Sequence, residues 1–253
     1  MIDPERRILL YPSPKRVRVS FGGETVADSL AAILLLEKGH APVYYFPRGD
    51  VRMALLTRSR HATHCPYKGD AAYWSVAAGG RQAENAAWSY ETPLQGVEDI
   101  GGRIAFYWDR MDAWYEEDER ITGHPRSPYH RIDILNSSRR VRVELAGETL
   151  AETVNGRFLF ETGLPTRYYI PEEDVRMGLL RDSPTSSACP YKGAARYWSA
   201  RIGGRTYADV AWSYPLPLPE ARKVAGHLCF DPARVDRLSV EGLPGEGEDA
   251  AQS

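Results

Sequence analysis

A mainly β protein built from two copies of one domain is the fold that this sequence predicts. Two observations support this: short alternating, β-branched and aromatic stretches bounded by Gly, Pro or Asp, and an internal repeat covering most of the chain. Helical periodicity is weak throughout. We therefore expect two pseudo-symmetric, antiparallel β-rich lobes with a few short helical turns.

The repeat keeps one fixed spacing along the chain. Cys65-Pro66-Tyr67-Lys68-Gly69 returns as Cys189-Pro190-Tyr191-Lys192-Gly193, which is 124 positions later. Laying residues 15–112 on residues 139–236 at this spacing gives roughly 43 identities in 98 positions, too many for two unrelated domains. The period exceeds the roughly 20–50 residues of solenoid repeats, so each copy should be a domain with its own core.

The domain limits follow from the repeat and from composition. We expect a first β-rich domain over residues 1–118, a second over residues 119–242, and packing of the two lobes on each other. The charge-rich segment 113–138, which contains prolines and a glycine, is predicted to form the connection. Residues 243–253 have almost nothing to bury and are predicted to be a disordered tail.

Five strands are predicted in the first copy, with equivalents in the second. Gly22-Gly23 and Gly79-Gly80 lie where hairpin turns are expected. Segment 48–56 after Pro47 and its equivalent 172–180 after Pro171 are predicted to be short helical turns. The predicted strands are 16–21, 25–29, 43–46, 73–76 and 86–90.

Composition limits the classes of partner. The chain carries 32 basic and 34 acidic residues, interspersed to a net charge of −2, so a broad positive face for nucleic acid is not expected. The longest apolar run, 30–36, is too short to cross a bilayer, and the N-terminus lacks the apolar stretch of a signal peptide. With three cysteines, compatible with a reducing compartment, these features predict a cytoplasmic protein without membrane or nucleic-acid partners.

Several repeated motifs resemble those of a known family. The run includes Tyr-Tyr-x-Pro at Tyr44, Asp-Val-Arg-Met at Asp50, Cys-Pro-Tyr-Lys-Gly at Cys65 and Ala-Trp-Ser-Tyr at Ala87, and each recurs in the second copy. It resembles the bacterial and fungal family known as domain of unknown function 427. The resemblance implies a β fold, with a tent-like form as one option, and the family carries a nucleotidyltransferase label.

Metal and cofactor signals are weak. The histidines His40, His61, His64 and His227 have no histidine at the equivalent position of the other copy, and a Cys-x-x-Cys pair is absent from the sequence. Glycine-rich phosphate loops are absent too. We therefore expect no metal and no cofactor.

The carboxylates nearest to a metal-binding pattern are Glu24 with Asp28, which recur as Glu148 with Glu152. A spacing of four is expected to put both on one face of a strand, where they could hold Mg²⁺ for nucleotide chemistry or simply face solvent.

The Cys-Pro-Tyr-Lys-Gly block is the most distinctive local signal. Pro66 favours an extended Cys65 and Gly69 permits a turn, while Lys68 could bind an anion. His64 becomes Ala188 in the second copy, so a repeated Cys-His pair is absent and the thiols are expected to be inert. The lysines are better candidates than the cysteines, and we expect them to be solvated.

The repeated aromatic residues could line a cage for a flat or cationic ligand, although aromatics at alternating strand positions more often form a core. Arg52, beside Asp50, and Arg176, beside Asp174, are expected to make structural ion pairs or to contact the ligand. The candidate ligand-binding residues are Arg52, Tyr67, Lys68, Tyr73, Trp74, Trp88 and Tyr90 in the first copy and Arg176, Tyr191, Lys192, Tyr197, Trp198, Trp212 and Tyr214 in the second.

Three functions remain open at this point. The first is a non-catalytic module that binds an unknown small molecule in an aromatic pocket. The second is an enzyme acting on nucleotides, as the family label implies, with no catalytic residue identified. The third is a structural scaffold.

Overall fold

A computed structural model describes residues 7–242 of the chain. The predicted disordered tail, 243–253, lies outside these residues. The chain divides into two compact units, Met1–Ser127 and Pro128–Ser253.

The first unit is made of antiparallel strands and four 3-10 turns. The strands are β1 (Ile8–Pro12), β2 (Val17–Phe21), β3 (Glu24–Ser29), β4 (Ile33–Glu37), β5 (Val43–Phe46), β6 (Leu56–Cys65), β7 (Gly69–Ala78), β8 (Arg81–Tyr90), β9 (Ile104–Phe106), β10 (Ala113–Glu116) and β11 (Glu119–Ile121). The 3-10 turns are Arg48–Asp50, Met53–Leu55, Glu98–Ile100 and Trp108–Arg110.

Two sheets build this unit. The larger has seven strands in the order β1-β4-β5-β9-β8-β7-β6, and the smaller has four in the order β11-β10-β2-β3. Alternating residues of β2, such as Val17 and Val19, are fully buried and share one core with Trp74 and Val76 of the larger sheet. The two sheets therefore pack through one apolar core, which supplies the main hydrophobic stabilisation of the unit.

The opposite face of the seven-stranded sheet is also apolar. Tyr45, Tyr73 and Tyr90 lie there in a second buried cluster, which the loop residues Val97 and Ile100 cover. This face is thus covered by loops and not by a third sheet. It bears the candidate site described below.

The second unit repeats this plan. Its strands are β12 (Ile132–Ser137), β13 (Val141–Leu145), β14 (Glu148–Thr153), β15 (Gly156–Glu161), β16 (Arg167–Pro171), β17 (Leu180–Cys189), β18 (Gly193–Ile202), β19 (Arg205–Ser213), β20 (His227–Phe230) and β21 (Arg237–Val240). Its 3-10 turns are Glu172–Asp174, Met177–Leu179 and Pro219–Val224. Seven strands are ordered β12-β15-β16-β20-β19-β18-β17 and three are ordered β14-β13-β21.

The prediction of a mainly β fold with two similar antiparallel halves is confirmed. The predicted helical segments after Pro47 and Pro171 each contain two 3-10 turns. The predicted connection, 113–138, is shorter than expected because β10 pairs with β2, β11 pairs with β10, and β12 belongs to the second unit. The charged residues of β10 and β11 obscured the strand pattern in the sequence, so these two strands of the smaller sheet were not predicted.

The hairpin β7–β8 is longer than predicted because it continues through a bulge. The register shifts between Trp74 and Val76, where Asn85 adopts a positive φ of 49° and its backbone N–H donates to Ser75 Oγ at 3.1 Å. Asp209 repeats the same φ region and the same bond to Ser199 in the second unit. Asn and Asp tolerate this conformation better than other side chains do, so the bulge is encoded locally.

Helices of the described part of the chain are all short 3-10 turns, and none has the length and apolarity needed to cross a membrane.

The turns at Gly22 and Gly79 touch each other in the first unit. A Cβ built on Gly79 would lie 2.1 Å from the Gly22 carbonyl oxygen, whereas one built on the equivalent Gly203 would meet nothing within 4 Å. The two glycines share nearly the same φ, 56° and 55°. The backbone penalty of a side chain is thus the same at both sites, and only the clash differs.

We therefore expect Gly79→Ala to destabilise its unit by about 1–3 kcal/mol more than Gly203→Ala destabilises the other, as overpacking typically costs. Gly203→Ala is the matched control for the positive φ. Calorimetry of both variants beside the parent protein measures the difference. Equal losses in the two variants would show that the close approach contributes nothing.

Candidate functional site

The Cys-Pro-Tyr-Lys-Gly block forms the three-residue loop of the β6–β7 hairpin, in which Cys65 pairs with Gly69. The Lys68 N–H donates to the Cys65 carbonyl at 3.3 Å, and the Lys68 carbonyl accepts from the Leu94 N–H at 3.2 Å. Gly69 has a φ of 97°, which favours glycine. These backbone contacts fix the position of Lys68 before its side chain makes any contact.

The Lys68 ammonium is not solvated, contrary to the sequence-based expectation. Lys68 is 8% exposed, and its Nζ donates to Glu37 Oε2 at the end of β4. Glu37 Oε1 faces Arg7 Nε at 3.8 Å. A buried charge needs a partner, and each of these two side chains is the partner of the other.

The second unit forms the same pair with one addition. Lys192 Nζ donates to Glu161 Oε2 at 2.6 Å, and Glu161 Oε1 is bound by His130 Nε2 at 2.9 Å. The His130 ring also stacks on Tyr191 at 4.1 Å between centroids. In the first unit, the Arg7 guanidinium takes the corresponding place over the exposed Tyr67, 4.0 Å from its centroid.

Strand alternation divides the predicted aromatic residues of the first unit between two faces. Tyr73 lies opposite Trp88 in the β7–β8 ladder, and Tyr90 lies opposite Ala71, so these aromatics share the loop-covered face. Trp74 points to the other face, where it is 2% exposed in the core between the sheets. The structure therefore brings Tyr73, Trp88 and Tyr90 together and separates Trp74 from them.

A cavity of about 420 Å³ opens beside Tyr73, Trp88 and Tyr90 in the first unit. Both members of the Lys68–Glu37 pair line it. Its other lining residues are Leu35, His40, Ala41, Pro42, Val43, Tyr44, Tyr45, Phe106, Tyr107, Trp108, Asp109, Trp114, His124 and Pro125. Its volume falls in the range typical of small-molecule sites, and its wall combines aromatic surface with a few polar groups.

Residues outside the predicted set supply much of this wall. Tyr45 accepts a 3.1 Å bond from Trp88 Nε1, Tyr107 lies over Trp88 at 4.6 Å, and Trp108 stacks on Trp114 at 4.6 Å. Tyr45 could have been found, because Tyr169 repeats it. Tyr107, Trp108 and Trp114 were not found because the second copy has Asp231, Pro232 and Leu238 there, so a search for repeated residues passed over them.

Burial raises the pKa of several phenols around the cavity. Desolvation raises the pKa of Tyr107 to about 12, with a further contribution from its hydrogen bond to Tyr73. Desolvation also raises the pKa of Tyr45 and Tyr90 well above the usual range, and Cys65 adds to the effect at Tyr90. These hydroxyls remain neutral hydrogen-bonding groups at physiological pH.

The equivalent region of the second unit is chemically different. Tyr197, Trp212 and Tyr214 are kept, and Trp212 Nε1 donates to Tyr169 at 3.3 Å. However, Arg167 replaces Val43, and its guanidinium lies 5.4 Å from the Trp212 ring centroid. The Arg167 cation therefore covers the Trp212 ring. In the first unit, Tyr107 covers the equivalent ring, that of Trp88.

Trp198, the equivalent of Trp74, packs against the core between the sheets and donates from Nε1 to Ser213 at 3.2 Å. Buried Cys229 has its pKa raised to about 12 by desolvation, which keeps its thiol protonated and unreactive.

The two candidate arginines make ion pairs, which was one of their two expected roles. Arg52 binds Glu24 at 2.6 Å and not Asp50, whose carboxylate accepts from the Ser29 hydroxyl at 2.6 Å. In the second unit, likewise, Arg176 binds Glu148 at 2.5 Å and Asp174 accepts from Thr153 at 2.6 Å.

The prediction that Glu24 and Asp28 share a strand face is wrong. A bulge shifts the β2–β3 register, so that Glu24 lies opposite Phe21 and Asp28 opposite Arg18, on opposite faces. Asp28 is instead held by Arg16 at 2.5 Å, and this contact lowers its pKa. Within residues 7–242, no group of three or more His, Cys, Asp or Glu side chains is arranged to hold a metal ion.

Comparison with family models identifies the repeated unit. The model for the domain of unknown function DUF427, with the short name NTP_transf_9, matches residues 9–117 and again residues 133–241. The chain belongs to this family. It is a tandem duplication of the DUF427 domain, as its motifs had indicated, and each match lies within one compact unit. A search of curated proteins found no relative.

The buried tyrosines of both DUF427 units predict a loss of stability at alkaline pH. A phenol whose pKa is raised by folding stabilises the native state fully below its unfolded pKa of about 10, and this contribution disappears as pH rises towards the folded value. We expect the urea midpoint to fall steadily between about pH 10 and pH 12. Tyr90→Phe should make that fall shallower, because one titrating phenol is removed.

Urea titrations at a series of pH values, followed by far-UV circular dichroism, measure this slope. Tyr67→Phe, at a residue 44% exposed, is the control. A slope unchanged by Tyr90→Phe but altered by Tyr67→Phe would contradict the assignment.

Proposed function

We propose that this protein is a non-catalytic small-molecule-binding module whose first DUF427 unit holds a flat ligand in the aromatic cavity. The observation that carries the proposal is the cavity of about 420 Å³ between aromatic walls, with a buried Lys68–Glu37 ion pair in its lining. Aromatic surface binds flat ligands by stacking and by burial of apolar area.

The polar groups of the cavity support binding over catalysis. Lys68 and Glu37 are engaged with each other, and Tyr45 is engaged with Trp88. Tyr73 shares a 2.9 Å hydrogen bond with Thr63. These groups are held in place by their neighbours, which suits them to fix the orientation of a ligand.

The difference between the units supports placing the ligand in the first. Tyr107, Trp108 and Trp114 complete the cavity there, and their equivalents Asp231, Pro232 and Leu238 offer no aromatic surface. In the proposal the second unit keeps the fold and the ion pair without this wall.

We expect the neutral flat probe 6-fluoroquinoline to bind the parent protein and to bind Tyr107→Ala about tenfold more weakly, as one aromatic contact is lost. Tyr107 is 38% exposed, so its truncation should leave the fold stable. ¹⁹F NMR titration measures the affinity directly.

Asp231→Ala, at the equivalent position of the second unit, is the matched control and should bind like the parent. Trp74→Phe changes the core between the sheets and should also leave the affinity unchanged. Equal binding by Tyr107→Ala and the parent, or no binding by the parent, would overturn the proposal.

A further inference from the structure

The Lys68–Glu37 pair has unused hydrogen-bonding capacity beside the cavity. An ammonium has three N–H donors, and within residues 7–242 the only partner of Lys68 Nζ is Glu37 Oε2. Glu37 Oε1 has only the distant Arg7 Nε, at 3.8 Å. The side chains of Lys68 and Glu37 are 10% and 9% exposed, so solvent has little access to these groups.

The second unit has already used the equivalent acceptor. Glu161 Oε1 is bound by His130 at 2.9 Å, while Glu161 Oε2 is bound by Lys192. Each oxygen of the Glu161 carboxylate is therefore bound by a different side chain, Lys192 or His130. In the first unit, where the aromatic cavity lies, Glu37 Oε1 has an ion-pair contact with Arg7 that is too long for a hydrogen bond, so among the described residues this oxygen accepts none.

Charge limits the chemistry of a ligand at this place. The Lys68–Glu37 pair is neutral as a whole, and the Arg7 charge beside it is 47% exposed and therefore screened by solvent. An anionic ligand would meet Glu37 and a cationic ligand would meet Lys68 in a poorly hydrated site. A neutral ligand avoids both costs. To satisfy the pair, it must offer an acceptor to Lys68 and, beside it, a donor to Glu37.

We infer that the ligand of the first unit is a neutral, flat ring with a lactam edge, in which a ring N–H lies next to a C=O. This inference rests on the proposed binding function and deepens it. The ring N–H donates to Glu37 Oε1, the carbonyl accepts from Lys68 Nζ, and the ring plane lies against the aromatic wall that includes Trp88 and Tyr107. Free heteroaromatic lactams and uracil-type nucleosides share this edge.

Two pairs of probes, each differing by one methyl group on nitrogen, test the edge. The first pair is 6-fluoro-2-quinolinone and its N-methyl derivative, and the second is uridine and 3-methyluridine. Methylation removes the donor and leaves Glu37 Oε1 without a hydrogen bond from the ligand. We therefore expect the N–H member of at least one pair to bind about tenfold or more tightly than its methylated partner. A preference in the first pair identifies a free lactam, and a preference in the second identifies a nucleoside.

The double variant Glu37→Leu/Lys68→Met removes both charges and both hydrogen-bonding groups together and leaves no buried charge unpaired. It should still bind 6-fluoroquinoline like the parent, which reports an intact cavity, while losing the preference for the N–H probe. Glu161→Leu/Lys192→Met in the second unit is the matched control and should keep the preference. ¹⁹F NMR follows the fluorinated probes directly and uridine by displacement of 6-fluoroquinoline.

The outcomes separate the two proposals. The lactam inference is overturned, and the binding function stands, if 6-fluoroquinoline binds but neither N–H probe binds more tightly than its methylated partner. The same conclusion follows if the double variant still prefers the N–H probe. If 6-fluoroquinoline does not bind the parent protein, the proposed function is overturned and the lactam inference, which rests on it, is overturned too.

Discussion

In each unit, both faces of a seven-stranded antiparallel sheet are apolar, and the rest of the unit is arranged to cover them. The smaller sheet covers one face through a core that includes Val19 and Trp74. Loop residues such as Val97 and Ile100 cover the other. The wall of the first unit's cavity combines Tyr45, Tyr73 and Tyr90 of this second cluster with Tyr44, Phe106 and Trp114 of the core between the sheets.

The buried ion pair belongs to that loop-covered face. A lysine on a hairpin loop and a glutamate at a strand end meet in both units, and such pairs seldom add net stability over apolar residues of the same size. In the proposed function, the charges of the first pair serve to position the ligand. In the second unit His130 completes the arrangement, whereas in the first the wall built from Tyr107, Trp108 and Trp114 adds space lined by aromatic rings.

The sequence allowed the fold class, the duplication and five of the eleven strands of the first unit to be predicted, because alternation and turn residues are local signals. It also pointed to Lys68, Tyr73, Trp88 and Tyr90, which the structure brings to one cavity. The sequence did not predict features that depend on contacts between residues far apart in the chain. The bulge in β3 that separates Glu24 from Asp28 leaves no clear pattern, and the partners of Arg52 and Lys68 lie 28 and 31 positions away. Tyr107 was not predicted because the candidates were limited to residues kept in both copies, and the second copy has Asp231 at the equivalent position.

The close approach of Gly22 and Gly79 has a practical consequence for handling the protein. In the first unit the two turns are in contact, so added chain at either would push them apart. In the second unit the space beside Gly147, Gly203 and Gly204 is open within 4 Å. Surface turns with free space around them accept insertions best. The Gly203–Gly204 turn is therefore the suitable place for a genetically inserted affinity tag or a spectroscopic label, at a site distant in sequence from the cavity residues.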